Sequence, residues 1–296
     1  MRISVSVTNY SYPDAPDAIA ERLSETAVAA DEAGLDVFWV NDHLVQAAPG
    51  AAPESEMLEA YTTLGYLAAR TNQIQLGTMV TPVTMRLPAV LIKAVTSLDV
   101  LSGGRAWLGV GAGYKLEEAE AMGLPLPPTQ ERFARLEETV QLAHQMWAGD
   151  TSPFKGEYYQ LARPVSSPPP LQRPHPPILI GGTGERHTLA LVARYADACN
   201  LFDIPDGGKT IRHKLQVLAR QCEAAGRPFD AIEKTVSARL TPSEPIEKFV
   251  AHCEKLAGLG IQHVVLITDG PWTVERIEHL AQAVRPVNGI QAANPY

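Results

Sequence analysis

Short apolar runs alternate along this chain with longer segments whose apolar residues recur at helical spacing. Eight of the runs, Ile3–Val7, Asp36–Val40, Gln75–Val80, Ala106–Gly111, Ile178–Gly181, Ala198–Phe202, Lys234–Leu240 and His263–Thr268, read as strands. They are apolar nearly throughout instead of alternating, the pattern of parallel strands covered on both faces. The segments between them read as helices. Asp17–Ala33 stops at Gly34 and the helix through Lys255–Gly258 stops at Gly260, each glycine free to adopt the left-handed backbone that closes a last turn. Pro245, after Ser243 and Glu244, suits a first helical turn, where its missing N–H is not needed. Phe133, Leu136, Val140, Ala143 and Trp147 form one helical stripe and belong to the core.

Eight strand–helix units predict an α/β chain folded as one (β/α)8 TIM barrel domain over residues 1–296. Two segments break the rhythm. One is the loop with Pro125, Pro127 and Pro128 after the fourth strand. The other is an insertion between the fourth helix and the fifth strand, from Trp147 to Ile178. It holds a small hairpin turning at Lys155-Gly156 and an extended run, Ser167–Pro170. The insertion is expected to cover something and to contribute most to substrate choice, together with the loops after the last two strands.

Composition narrows the field. The 25 basic and 33 acidic residues leave a formal charge of −8, with no basic cluster of the kind nucleic-acid binding needs. The apolar start at Ile3–Val7 is too short for a signal peptide, and no run approaches the ~20 apolar residues of a membrane span. A soluble, cytoplasmic protein without nucleic-acid or membrane partners is expected. Cys199, Cys222 and Cys253 are far apart and odd in number, so they indicate small buried hydrophobes instead of a disulfide framework or zinc site. No metal-ligand pattern and no Gly-x-Ser-x-Gly elbow occurs.

In a barrel the chemistry gathers at the C-terminal ends of the strands. Gly181-Gly182-Thr183-Gly184 follows the fifth strand and opens a helix, so its backbone can approach an anion and offer it free N–H groups. A plain turn is the alternative there. Gly109-x-Gly111-x-Gly113 leaves open space after the fourth strand. His43, just past the second strand, is the candidate for proton transfer, with Asp42 either orienting it or binding a polar cofactor group. His187, in the first turn after the glycine loop, is a candidate phosphate contact.

The stretch Leu98–Tyr114, joining a helix end, a tight turn, a buried strand and a glycine-rich exit, resembles the signature of luciferase-like oxidoreductases, which use a flavin or the deazaflavin coenzyme F420. Phe38–Leu44, Leu76–Pro82, Gly111–Glu117, Arg173–Glu185 and Ala193–Asn200 resemble the same family in the same order, up to Phe202, and the last two point to its F420-dependent branch. The resemblance implies a catalytic His43 facing the reacting carbon. It implies cofactor contacts from Asp42, His43, Thr78, Met79 and Val80, from Gly113, Tyr114 and Glu117, and from Gly181, Gly182, Thr183 and Gly184 around the phosphate. It implies a bulge with a cis non-proline peptide at Met79–Val80 or one residue earlier, and a homodimer. The implied reaction is hydride transfer between the deazaflavin C5 and a small organic substrate, with C=C or C=N reduction favoured over alcohol oxidation. Members that oxidise a sugar phosphate carry a glutamate where this chain has Tyr114, which disfavours that substrate. An FMN-dependent monooxygenase supplied by a reductase, and a flavin-binding barrel without catalysis, are the alternatives.

Overall fold

The computed structural model describes residues 1–47, 51–239 and 244–294. Its strands are β1 (Arg2–Val7), β2 (Val37–Val40), β3 (Gln75–Thr78), β4 (Thr81–Pro82), β5 (Leu108–Gly111), β6 (Phe154–Lys155), β7 (Gln160–Leu161), β8 (Ile178–Gly181), β9 (Ala198–Phe202), β10 (Glu233–Arg239) and β11 (His263–Ile267). All but the β6–β7 hairpin join one parallel sheet in the order β3-β2-β1-β11-β10-β9-β8-β5-β4. The sheet closes on itself. Leu76 in β3 bridges Ala106 just before β5, with Leu76 N donating to Arg105 O and Trp107 N to Leu76 O, both at 2.8 Å. β3 and β4 are therefore one barrel strand interrupted at Met79–Val80, and the eight expected strands form a (β/α)8 barrel.

The sequence explains the closure. In β2, Val37 and Trp39 turn inward while Phe38 and Val40 pack under the helices, so all four are buried and no alternation shows. Val37, Trp39, Trp107, Leu179, Ala198 and Val265 fill the barrel, with the two tryptophan rings edge to face at 5.4 Å. A Cβ at Gly77 would come within 2.7 Å of the Trp39 ring, and one at Gly109 would overlap the Thr78 carbonyl oxygen. Only glycine fits beside rings of that size.

The N-terminal end of the barrel is closed by charge. Arg2 donates to Asp36, Gln75 and Glu233, while His263 contacts Ser4 at 2.5 Å and Glu233 at 3.2 Å. Nearby, Ser102–Arg105 turns through two positive-φ glycines, Gly103 and Gly104, and the buried Arg105 donates to the carbonyls of Ala68, Thr71 and Ile74. It ties the end of the helix Ala60–Ala68 to the turn, so this part of the signature is scaffold.

Helix ends follow the expected chemistry, with Gly34 at φ +76 and Gly260 at φ +98. Pro245 sits at the N-cap of the helix Ile246–Gly258, one position earlier than a first-turn residue. Leu240 and Ser243 lie outside the described residues.

The insertion differs from expectation in what it covers. It leaves the C-terminal end of the helix Thr129–Trp147, at the opposite end of the barrel from the strand exits. Leu171 and Gln172 bind the Asp99 carboxylate, and the hairpin amides of Glu157, Tyr158 and Tyr159 bind Glu138. It therefore wraps the barrel's flank and base, and cannot be the main source of substrate choice at the mouth.

Candidate functional site

His43 leaves β2 at the C-terminal end of the barrel, and its partner comes from 75 residues away. Glu118, in the first turn of the helix Leu116–Met122, places Oε2 2.7 Å from His43 Nδ1 and Oε1 2.6 Å from the Leu44 amide nitrogen. The carboxylate side chain is 1% exposed and the imidazole 14%. Burial opposes ionisation of Glu118, but the hydrogen bonds from His43 and Leu44 outweigh it and hold the carboxyl below the usual glutamate range. An ionised carboxylate only accepts, so His43 Nδ1 carries the hydrogen of this bond and Nε2 is the ring nitrogen turned away from it.

Asp42 does not orient His43. Its buried carboxylate takes a two-pronged interaction from Arg86 at 2.5 and 2.9 Å and a hydrogen bond from Thr81 at 2.6 Å. Arg86 also holds Glu59 and lies over the Tyr61 ring. Successive residues of an extended exit point in opposite directions, so Asp42 reaches the third strand while His43 reaches Glu118. Asp42 thus fixes the backbone of two neighbouring strand ends.

Between those ends lies the bulge, and the Met79–Val80 peptide is cis. Thr78 is fully buried, and its hydroxyl donates to Gly109 O at 2.8 Å, which commits it to the scaffold. Met79 and Val80 are half-buried on top of the inner cluster. Cβ atoms at Gly111 and Gly181 would each come within 2.9 Å of a Val80 methyl, so these glycines make room for Val80 across the mouth. The result is an apolar floor made of Met79 and Val80.

Gly113, at φ +77, packs close to Pro82, and Tyr114 beyond it is 73% exposed with its ring edge-on to His43 at 6.5 Å. Glu117 is exposed on the outer side of its helix, and the buried acid is the next residue, Glu118. Sequence reading missed it because two acids stand side by side in a seven-residue helix, too short for its period to show which one faces inward.

On the far side of the floor, Gly182 adopts φ +117, and the amides of Gly182, Thr183 and Gly184 donate to no acceptor among the described residues. The loop leads into the helix Thr188–Tyr195. Its one acid, Glu185, is paired with Lys214 at 2.6 Å and hydrogen-bonded to His213 at 2.9 Å. His187 stacks on Phe133 at 5.0 Å. An apolar floor with free amide donors beside it suits a ring system carrying an anionic tail, so the residues present fit a flavin-type cofactor.

The remaining histidines serve structure. His144 binds Tyr195 O, His175 binds Pro176 O, His252 pairs with Asp203 and His279 with Glu244 O. Among the described residues no cluster of three metal-ligating side chains occurs, and no helix is long and apolar enough to cross a membrane.

Comparison with known proteins follows this geometry. The luciferase-like monooxygenase family matches residues 1–285. An F420-dependent glucose-6-phosphate dehydrogenase of Kineococcus radiotolerans is 36% identical over 232 residues, covering 75% of this chain and 64% of the relative. Among solved structures, a monooxygenase from Streptomyces bottropensis superposes with a TM-score of 0.81 at 18% identity over 98% of this chain and all of that one. An F420-dependent secondary alcohol dehydrogenase in complex with an F420–acetone adduct also reaches 0.81 at 18% identity, over 97% of this chain and 98% of that one. The structural likenesses establish the fold.

Proposed function

We propose that this chain, which belongs to the luciferase-like monooxygenase family, is a coenzyme F420-dependent oxidoreductase that transfers a hydride between the deazaflavin C5 and a small organic substrate. The observation that carries the reading is the His43–Glu118 pair standing at the barrel mouth beside the Met79–Val80 floor. The F420-dependent relative at 36% identity supports the choice of cofactor. When bound, the deazaflavin supplies or receives the hydride.

The chain's own residues do the rest. Met79 and Val80 back the ring, and the amides of Gly182, Thr183 and Gly184 hold the phosphate of its tail. Glu118 fixes the imidazole through Nδ1–H, so His43 Nε2 exchanges the proton that accompanies the hydride. In reduction of a C=C or C=N bond it donates to the substrate, and in alcohol oxidation it accepts from the hydroxyl. Leu87, Val90 and Leu101 are 68%, 58% and 77% exposed along the helix Pro88–Leu101, and we assign that helix to a homodimer contact.

Parallel titration with F420 and FMN tests the cofactor, and a tenfold preference for FMN would overturn the assignment. His43→Ala is expected to bind F420 normally and lose at least ~100-fold in turnover. Unchanged turnover would remove His43 from the reaction.

A further inference from the structure

The elements that meet at the glycine loop carry cations that the fold leaves without acids. We infer that Arg132, Arg186 and Lys209 form a track across this edge of the mouth that holds a ligand tail bearing several anionic groups, beyond the single phosphate the loop itself can take. The inference rests on the reading of the loop as the seat of the cofactor's phosphate and extends it.

Arg132 is the inner end of the track. It stands four, seven and eleven residues before Leu136, Thr139 and Ala143, which are buried against the barrel, so it continues the inward face of the helix Thr129–Trp147 at the mouth end. Phe133 beside it stacks on His187, which sets this turn next to the glycine loop. Arg132 Nη2 donates to Thr129 at 2.9 Å, while Nε is buried and has no acceptor among the described residues. A buried guanidinium N–H left unpaired is costly, and an anion at the mouth supplies the missing acceptor.

Arg186 and Lys209 continue the track outward. Arg186 lies two residues past Gly184, and Lys209 opens the helix Lys209–Ala225. That helix is fastened to the loop by Lys214 and His213, which both bind Glu185, and Lys209 lies one turn before His213 on the same face. Arg186 and Lys209 are exposed, and neither they nor Arg132 pairs with an acid among the described residues. The acids on these stretches are committed, Glu131 to Arg135, Glu185 to Lys214, and Asp206 to the Lys209 and Thr210 amides. In a chain of net charge −8 this leaves a local surplus of positive charge beside the loop.

Spacing selects the ligand. The helix Thr188–Tyr195 packs between Thr129–Trp147 and Lys209–Ala225, and neighbouring helix axes lie about 8–10 Å apart, so the first turns that carry Arg132 and Lys209 stand about 20 Å apart. One phosphate cannot reach both. An extended chain of anionic groups can, and each exposed charge pair it makes is worth about 1.5-fold to fivefold in affinity.

The test uses F420 in two forms, one ending at the carboxyl group that follows its phosphate and one continuing into five or more γ-linked glutamates. Fluorescence titration compares them at 0.1 M and 1 M sodium chloride, between which the Debye length falls from about 10 Å to about 3 Å. The long-tailed form is expected to bind at least fivefold more tightly at 0.1 M, with the gap closing to within twofold at 1 M. Arg132→Gln, Arg186→Gln and Lys209→Gln combined are expected to close it at 0.1 M as well. Equal binding of the two forms by the wild type, or a gap that the triple variant keeps, would overturn the inference. If neither form binds, the reading of the cofactor fails. Titration of the protein alone with γ-linked pentaglutamate then decides the track. Binding weakened at least fivefold in the triple variant upholds it, and no binding, or binding indifferent to the three substitutions, overturns it.

Discussion

Two buried carboxylates lie within reach of the second strand exit, and their partners assign them different work. Asp42 is spent on Arg86 and Thr81, so it holds backbone. Glu118 is spent on His43 Nδ1, so under the proposed function it leaves Nε2 as the nitrogen that meets the substrate. Glu118→Gln keeps the size of the side chain but removes the charge that stabilises a protonated imidazole. Turnover is expected to fall by ~10–100-fold, a part of the usual general acid–base contribution, with F420 affinity and the KM for substrate within twofold. Steady-state kinetics with a pH profile of kcat measures it. A profile and kcat like the wild type would reduce Glu118 to a packing role. His43 stood out in the sequence as a candidate because it follows the C-terminal end of a barrel strand, where such chemistry gathers, while Asp42 looked like its partner through adjacency in sequence. Adjacent residues of an extended segment diverge in space, and the true partner arrives on a helix that no local pattern connects to it.

At the scale of elements, the third barrel strand carries the design. Gln75–Thr78 pairs with β2, Thr81–Pro82 pairs with β5, and the two residues between them rise over the inner cluster. Gly111 and Gly181 are glycines because Val80 occupies the space of their absent side chains. Gly181→Ala is therefore expected to cost ~1–3 kcal/mol of stability by overpacking. In a Val80→Ala background most of that cost should vanish, a coupling that urea unfolding of the four proteins in a double-mutant cycle resolves. An equal cost in both backgrounds would show that something other than Val80 excludes the side chain. The eight strands were readable because parallel strands buried on both faces are continuous apolar runs, and their glycine-marked helix ends are local chemistry. The insertion's position along the chain was readable too. Its end of the barrel was misjudged because length and composition carry no direction. Direction comes from topology: a segment joining a helix to the next strand emerges at the base, where Asp99 and Glu138 receive it.

For the whole molecule, the barrel separates its tasks by end. The mouth holds His43, the floor and the glycine loop, while the base is sealed by Arg2, Asp36, Glu233 and the fully buried His263. Burial alone would raise the Glu233 carboxyl, but the hydrogen bond from His263 and the charge of Arg2 outweigh it and bring the group down from 4.5 to about 2. A carboxyl depressed in the folded state stabilises the protein above its unfolded value, and that contribution disappears as pH falls from 4.5 towards 2. A depression of this size corresponds to roughly 3 kcal/mol. Glu233→Gln is therefore expected to be less stable than the wild type at pH 7, since it takes from Arg2 one of its two counter-charges. The gap should narrow as pH falls through the window, because the wild type loses there what the variant never had. Urea unfolding at pH 7, 4 and 3 reads this directly, and a gap that stays constant or widens would contradict it. Turnover per folded molecule at pH 7 should be unchanged, because the seal lies at the opposite end of the barrel from the His43–Glu118 pair. A change in turnover with intact folding would mean that the inner layer couples the two ends through the Trp107 ring on which the Arg2 guanidinium lies and the Trp39 ring packed against it.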